Sequence, residues 1–125
     1  MTLDHFEQLV ARAIDALPDH VLGALDNVAI CVEDDCIEGD RLGEYIGISQ
    51  IERGNDYAGV LPDKIVLYRL AILDEVGTDP KAIEEEIRRT LWHEIAHHFG
   101  WDDDVLHAAE ARKGWHQIHP DPKMP

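Results

Sequence analysis

The chain has 125 residues, 26 of them acidic and 11 basic, for a formal charge of −15; that length holds one modest core and not two, so a single domain over residues 1–125 is expected. The charge repels phosphate backbones and anionic headgroups, which argues against nucleic acid and membrane surfaces as partners. No apolar run nears the roughly 20 residues that cross a bilayer and no basic leader precedes one, so a cytoplasmic location is expected, with Cys31 and Cys36 as reduced thiols.

Thr2 or Asp4 is placed to cap a first helix, in which Phe6, Leu9, Val10, Ala13, Ile14 and Leu17 recur at helical spacing and which Pro18 stops. A short helical turn is expected before Asn27. Val28–Val32 is a β-branched apolar run between polar residues, the pattern of a buried strand, and reads as central in its sheet. Residues Glu33–Glu44 turn acidic and glycine-bearing, as a surface loop does. Tyr45–Ile51 reads as a second strand, and Arg53–Asp63, with its glycines, asparagine and proline, as another loop. Lys64–Leu73 is strand-like but too long for one uniformly buried strand, so a kink or an edge position is expected there.

Asp79-Pro80 is a strong helix start, with aspartate to cap, proline at the first position and Glu84, Glu85 and Glu86 early in the helix. In that helix His93 and His97 are one turn apart, so both imidazoles leave the same face and can share a metal. Glu94 flanks that face, suited to hold a water beside the metal and badly placed as a third helical ligand. This is the H-E-x-x-H arrangement, two histidines for zinc and a glutamate as general base. Ile87, Leu91, Ile95 and Phe99 form an apolar stripe roughly opposite, so one side packs while the other presents ligands. Gly100 can take the left-handed conformation that turns a chain out of a helix, and Asp103 can then fold back to complete a three-ligand site with one position left for water. The alternative third ligand is Glu110. Asp102 and Asp104 read as capping and solvated at the start of a last helix, Val105 to Lys113, and the tail from about residue 115 as irregular. His98 lies about 100° round the helix from His97, so it is expected to pack or to make a supporting bond. His5, His20, His107, His116 and His119 show no ligand spacing with one another.

Residues His93 to Asp103 together read HExxHxxGxxD, and the chain resembles the small bacterial Asp-zincin, or mini-zincin, metallopeptidases; the Leu-Pro-Asp-x-Ile-x-Leu-Tyr segment from Leu61 to Tyr68 extends the likeness. The resemblance implies an α+β, minimal zincin-like domain, in which a small mixed or antiparallel sheet packs on the active-site helix with helices at both termini. It implies one Zn²⁺ per chain on His93, His97 and Asp103, hydrolysis of peptide bonds with Glu94 as base, and a peptide or protein as substrate. It also implies that a strand just before the motif helix borders the cleft and pairs with extended substrate. No oligomeric state follows from it. Tyr45, Tyr57, Tyr68 and the tail histidines are the candidate donors to the oxyanion. One departure stands out: larger metzincins set a methionine turn beneath the metal, and the only methionines here are Met1 and Met124. The competing reading is a zinc-binding interaction module without proteolytic activity, against which Glu94 counts, since a structural site has no use for a base.

Overall fold

Thr2 Oγ1 accepts the N–H of His5 at 3.2 Å and so starts α1 (Leu3–Asp15), whose Phe6, Leu9, Val10 and Ala13 are buried. The computed structural model describes residues 1–25, 27–35, 39, 41–47 and 63–114. Cys36, Tyr57, His116, His119, Met124 and the later part of the expected Tyr45–Ile51 strand lie outside them. After Pro18 comes the short helix α2 (Asp19–Ala24), then β1 (Val28–Glu33), β2 (Gly43–Ile46) and β3 (Asp63–Tyr68). Helices α3 (Arg69–Val76), α4 (Pro80–His98) and α5 (Asp103–Lys113) follow, which makes the fold α+β. Among the described residues no helix is long and apolar enough to cross a membrane.

The sheet is mixed, in the order β1-β3-β2: β3 runs parallel to β1, with Val28 opposite Asp63, and antiparallel to β2, with Tyr45 opposite Ile65. This corrects two expectations. Among the described residues Val28–Val32 is not central but on an edge, and its residues are only partly buried, whereas β3 between its two neighbours is buried at every position but Lys64. The run Lys64–Leu73 is neither a kinked strand nor an edge, because it changes structure at Tyr68. Both neighbouring strands run out there: Glu33 ends the register with Tyr68, and the Tyr68 N–H donates to Leu42 O at 2.9 Å. One further main-chain bond carries over from β1, the Leu70 N–H donating to Asp34 O at 3.0 Å, and the helix-favouring segment then winds into α3. Arg69 anchors the switch, its Nε donating to Asp34 Oδ1 at 3.0 Å and its Nη1 to the Met1 carbonyl at 3.1 Å. The second strand also begins two residues earlier than expected, at Gly43.

Helix α4 is the axis of the molecule. Asp79 caps it by accepting the Lys81 N–H at 3.2 Å, and Pro80 occupies its first turn. Its Ile83, Ile87, Leu91 and Ile95 share one core with Phe6, Leu9 and Val10 of α1, with Ile65 and Leu67 of β3, and with Leu106 and Ala109 of α5. A helix gripped on three sides by apolar contacts holds its remaining face still.

Candidate metal centre

The remaining face of α4 opens into a cleft of about 650 Å³ between β2 and the start of α5. Burial of Ile87, Leu91, Ile95 and Phe99 fixes the roll of the helix, and that roll aims His93 and His97 into the cleft, their ring centroids 4.9 Å apart. The third member arrives through the turn. The Gly100 N–H donates to His97 O and the Trp101 N–H to Ala96 O, the paired bonds of a Schellman motif, with Gly100 at φ 96°. Asp102 then caps α5, accepting the Val105 N–H at 2.8 Å. Asp103, the first residue of α5, is thereby swung back over α4.

Asp103 Oδ1 lies 3.1 Å from His97 Nε2 and 3.5 Å from His93 Nε2. The edge of a tetrahedron built with metal–ligand bonds of about 2.0 Å is roughly 3.3 Å, so two of the three separations match tetrahedral coordination. Among the described residues these three form the one group of His, Cys, Asp and Glu whose donor atoms gather closely enough for a metal, all within 4.8 Å. His97 is prepared for the role. Its Nδ1 lies 3.0 Å from the Trp101 carbonyl, which can only accept, so Nδ1 carries the proton and Nε2 keeps its lone pair for the cleft. His93 is held below its ordinary pKa, first by burial and then by the neighbouring His97, which favours the neutral imidazole that a metal needs. Two imidazoles and one carboxylate suit zinc, as they suit other divalent ions of intermediate softness.

Glu94 lies beside this group and is 7 % exposed. Desolvation, with a contribution from the Asp103 charge, pushes its carboxyl up to about 7, opposed by a hydrogen bond from the Tyr45 backbone N–H. A carboxyl that titrates near neutrality is suited to both taking and returning a proton. Glu110, the alternative third ligand, faces Arg89 across 3.9 Å and is not a member of the cluster.

His98 is sealed in the core, its Nδ1 3.0 Å from Asp63 Oδ2. The hydroxyls of Tyr45 and Tyr68, both candidate oxyanion donors, give their protons to carboxylates instead, Tyr45 to Asp63 at 2.7 Å and Tyr68 to Glu44 at 2.8 Å. The strand bordering the cleft is β2, not the strand before the motif helix: β3 has neighbours on both sides, while Gly43, Glu44 and Tyr45 line the cleft. Three further residues escape the spacing arguments. Arg41 brings a cation to the cleft, bound to Glu44 at 2.9 Å; His107, one turn after Asp103, comes within 6.3 Å of the His93 ring; and Asp63 supports His98. Only His107 carries a signal in the sequence, its i, i+4 relation to Asp103.

The family model described as zincin-like metallopeptidase matches residues 25–113. Among solved structures, a conserved hypothetical protein from Thermo thermophilus is similar, with 26% identity and a TM-score of 0.52 over 90% of this chain and 100% of that one. No curated protein matches.

Proposed function

From membership of the zincin-like metallopeptidase family, to which this chain belongs, we propose that it is a zinc-dependent peptidase that cuts peptide bonds with Glu94 as general base. One observation carries the reading: the donor atoms of His93, His97 and Asp103 converge within 4.8 Å beside a buried glutamate whose pKa is near 7. His93 Nε2, His97 Nε2 and Asp103 Oδ1 hold the ion, which when bound supplies an electrophile and a more acidic water.

The chain's own residues do the rest. An extended peptide lies along the outer edge of β2, where the main chain of Gly43 faces the cleft and the Tyr45 N–H is kept by Glu94, and β-augmentation holds it by its backbone with little call on its side chains. Glu94 accepts a proton at its carboxylate as the attacking water forms a bond to the scissile carbonyl carbon. It then hands that proton to the amide nitrogen as the C–N bond breaks, releasing a carboxylic acid and an amine, and the acid's proton passes to the amine to leave carboxylate and ammonium. With a carboxyl that titrates at about 7, Glu94 is partly ionised at neutral pH and so can take up that proton. The excess of acid over base in the sequence steers basic or neutral peptides towards the cleft in preference to acidic ones. A cytoplasmic location goes with this reading, in keeping with the free thiol of Cys31.

The test is metal content of protein purified without added metal, followed by cleavage of a denatured protein substrate. About one zinc per chain is expected in the wild type, with loss of zinc in His97→Ala and Asp103→Ala. Glu94→Gln is expected to keep its zinc and to lose about 10²- to 10⁴-fold in turnover. Zinc absent from the wild type after zinc is supplied, or full turnover in Glu94→Gln, would refute the proposal.

A further inference from the structure

Strand β2 is four residues long and, among the described residues, pairs with β3 alone. So short a ladder on a sheet edge is a weak platform on its own, yet it delivers a main-chain N–H to the carboxylate of Glu94. Contacts beyond the ladder fix it. Helix α4 advances about 6 Å in four residues, and a strand advances about 6.6 Å in two, so alternate residues of β2 can meet successive turns of α4 in step. They do. A Cβ added to Gly43 would lie 2.6 Å from Thr90 Cγ2, so the strand rests directly on that turn. One step on, Tyr45 meets the next two turns at once: its backbone N–H binds Glu94, and its ring stands edge-on to His98 with centroids 5.6 Å apart. One step further, a Cβ on Gly47 would lie 2.5 Å from Asp63 Oδ1, and Asp63 is the residue that holds both Tyr45 and His98. Its Oδ2 accepts the Tyr45 hydroxyl at 2.7 Å and His98 Nδ1 at 3.0 Å, with Asp63 2 % and His98 1 % exposed.

We infer that Tyr45, Asp63 and His98 are positioning residues for the general base: the buried Asp63–His98 pair grips the Tyr45 hydroxyl, and the tethered residue presents its main-chain N–H to Glu94 one helical turn away. The aromatic ring is the lever between an anchor in the core and a contact in the cleft. The inference rests on the peptidase reading for the meaning of Glu94, but not for its test. It differs from a purely structural role in what it couples, since loss of one hydroxyl in the core must be felt at one amide in the cleft.

The experiment is residue-resolved amide hydrogen exchange by NMR on the full, zinc-loaded chain, comparing wild type with Tyr45→Phe, His98→Ala and His98→Asn. Tyr45→Phe removes only the hydroxyl. It is expected to speed exchange at the Tyr45 amide roughly tenfold, as the loss of one hydrogen bond's worth of local order does, while the amides of the β1–β3 ladder keep their wild-type rates. His98→Ala is expected to act in the same way, and His98→Asn, which returns an N–H donor towards Asp63, to restore slow exchange at Tyr45. An unchanged Tyr45 amide in Tyr45→Phe overturns the inference, as does acceleration shared equally by the β1–β3 ladder, which marks general destabilisation. Failure of the peptidase reading shows elsewhere, as hydrolysis that survives Glu94→Gln, so the two cannot be confused.

Discussion

Helix α4 carries two adjacent histidines, each with an aspartate brought to it from another part of the chain, at nearly the same distance and with opposite burial. His97 Nε2 stands 3.1 Å from Asp103, whose side chain is 68% exposed; His98 Nδ1 stands 3.0 Å from Asp63, whose side chain is 3% exposed. Distance therefore says little about what a pair is for. A buried, hydrogen-bonded pair is a joint, and losing one member strands the other away from water. The open pair keeps one histidine nitrogen and an exposed carboxylate facing the cleft, where an ion can displace the contact between them. Neighbours in sequence thus divide two tasks, His98 holding the strand to the helix and His97 offering a ligand atom to the cleft.

The largest effect is expected when the buried joint is opened. Asp63→Ala leaves His98 Nδ1 and the Tyr45 hydroxyl without their acceptor, and a loss on the order of 3 kcal/mol is expected, read as a lower denaturant midpoint with an unchanged slope. A loss below about 1 kcal/mol would place the buried pair in the same class as the exposed one.

The next effect belongs to Glu94, which lies between the two pairs. Its carboxyl titrates at about 7 in the metal-free fold, against an ordinary 4.5. The folded state then binds more protons than the unfolded state between these values. Stability is fully present below 4.5, falls as the pH rises, and is lost through 7, by roughly 3 kcal/mol. In metal-free Glu94→Gln that fall should vanish, so the difference between the two unfolding free energies, followed from pH 4.5 to 8, should widen with pH. Parallel curves would mean that the buried carboxyl does not carry the shift.

The smallest expected effect sharpens the contrast. Asp103→Asn should alter the stability of the metal-free chain by less than about 1 kcal/mol, as for other exposed ion pairs, while weakening retention of zinc against a chelator. A large stability loss without metal would make the exposed pair a second joint.

Local signals in the sequence are rich and long-range ones are poor. Thr2, Asp79 and Asp102 are legible as caps because capping is settled within three residues. The gathering of His93, His97 and Asp103 is legible because two share a helical face and the third follows a glycine turn. By contrast, Val28–Val32 and Ile65–Tyr68 are both apolar runs, and nothing in either tells which lies in the middle of the sheet. The segment beyond Tyr68 reads as more strand because a short apolar run has no period long enough to separate strand from helix. Tyr45 and Asp63 reach α4 only through pairing across the sheet, so their partnership with His98 has no local trace.

The carbonyl that sets the tautomer of His97 belongs to the main chain of Trp101, which alters how the centre tolerates sequence drift. A supporting carboxylate can be erased by one codon change; a backbone oxygen cannot. Provided the replacement still fills the buried space of Trp101, residue 101 can vary without disturbing the imidazole beside it. Vulnerability moves to Gly100, whose φ of 96° aims that carbonyl, so the orientation of a side chain in the cleft is inherited from the path of the chain.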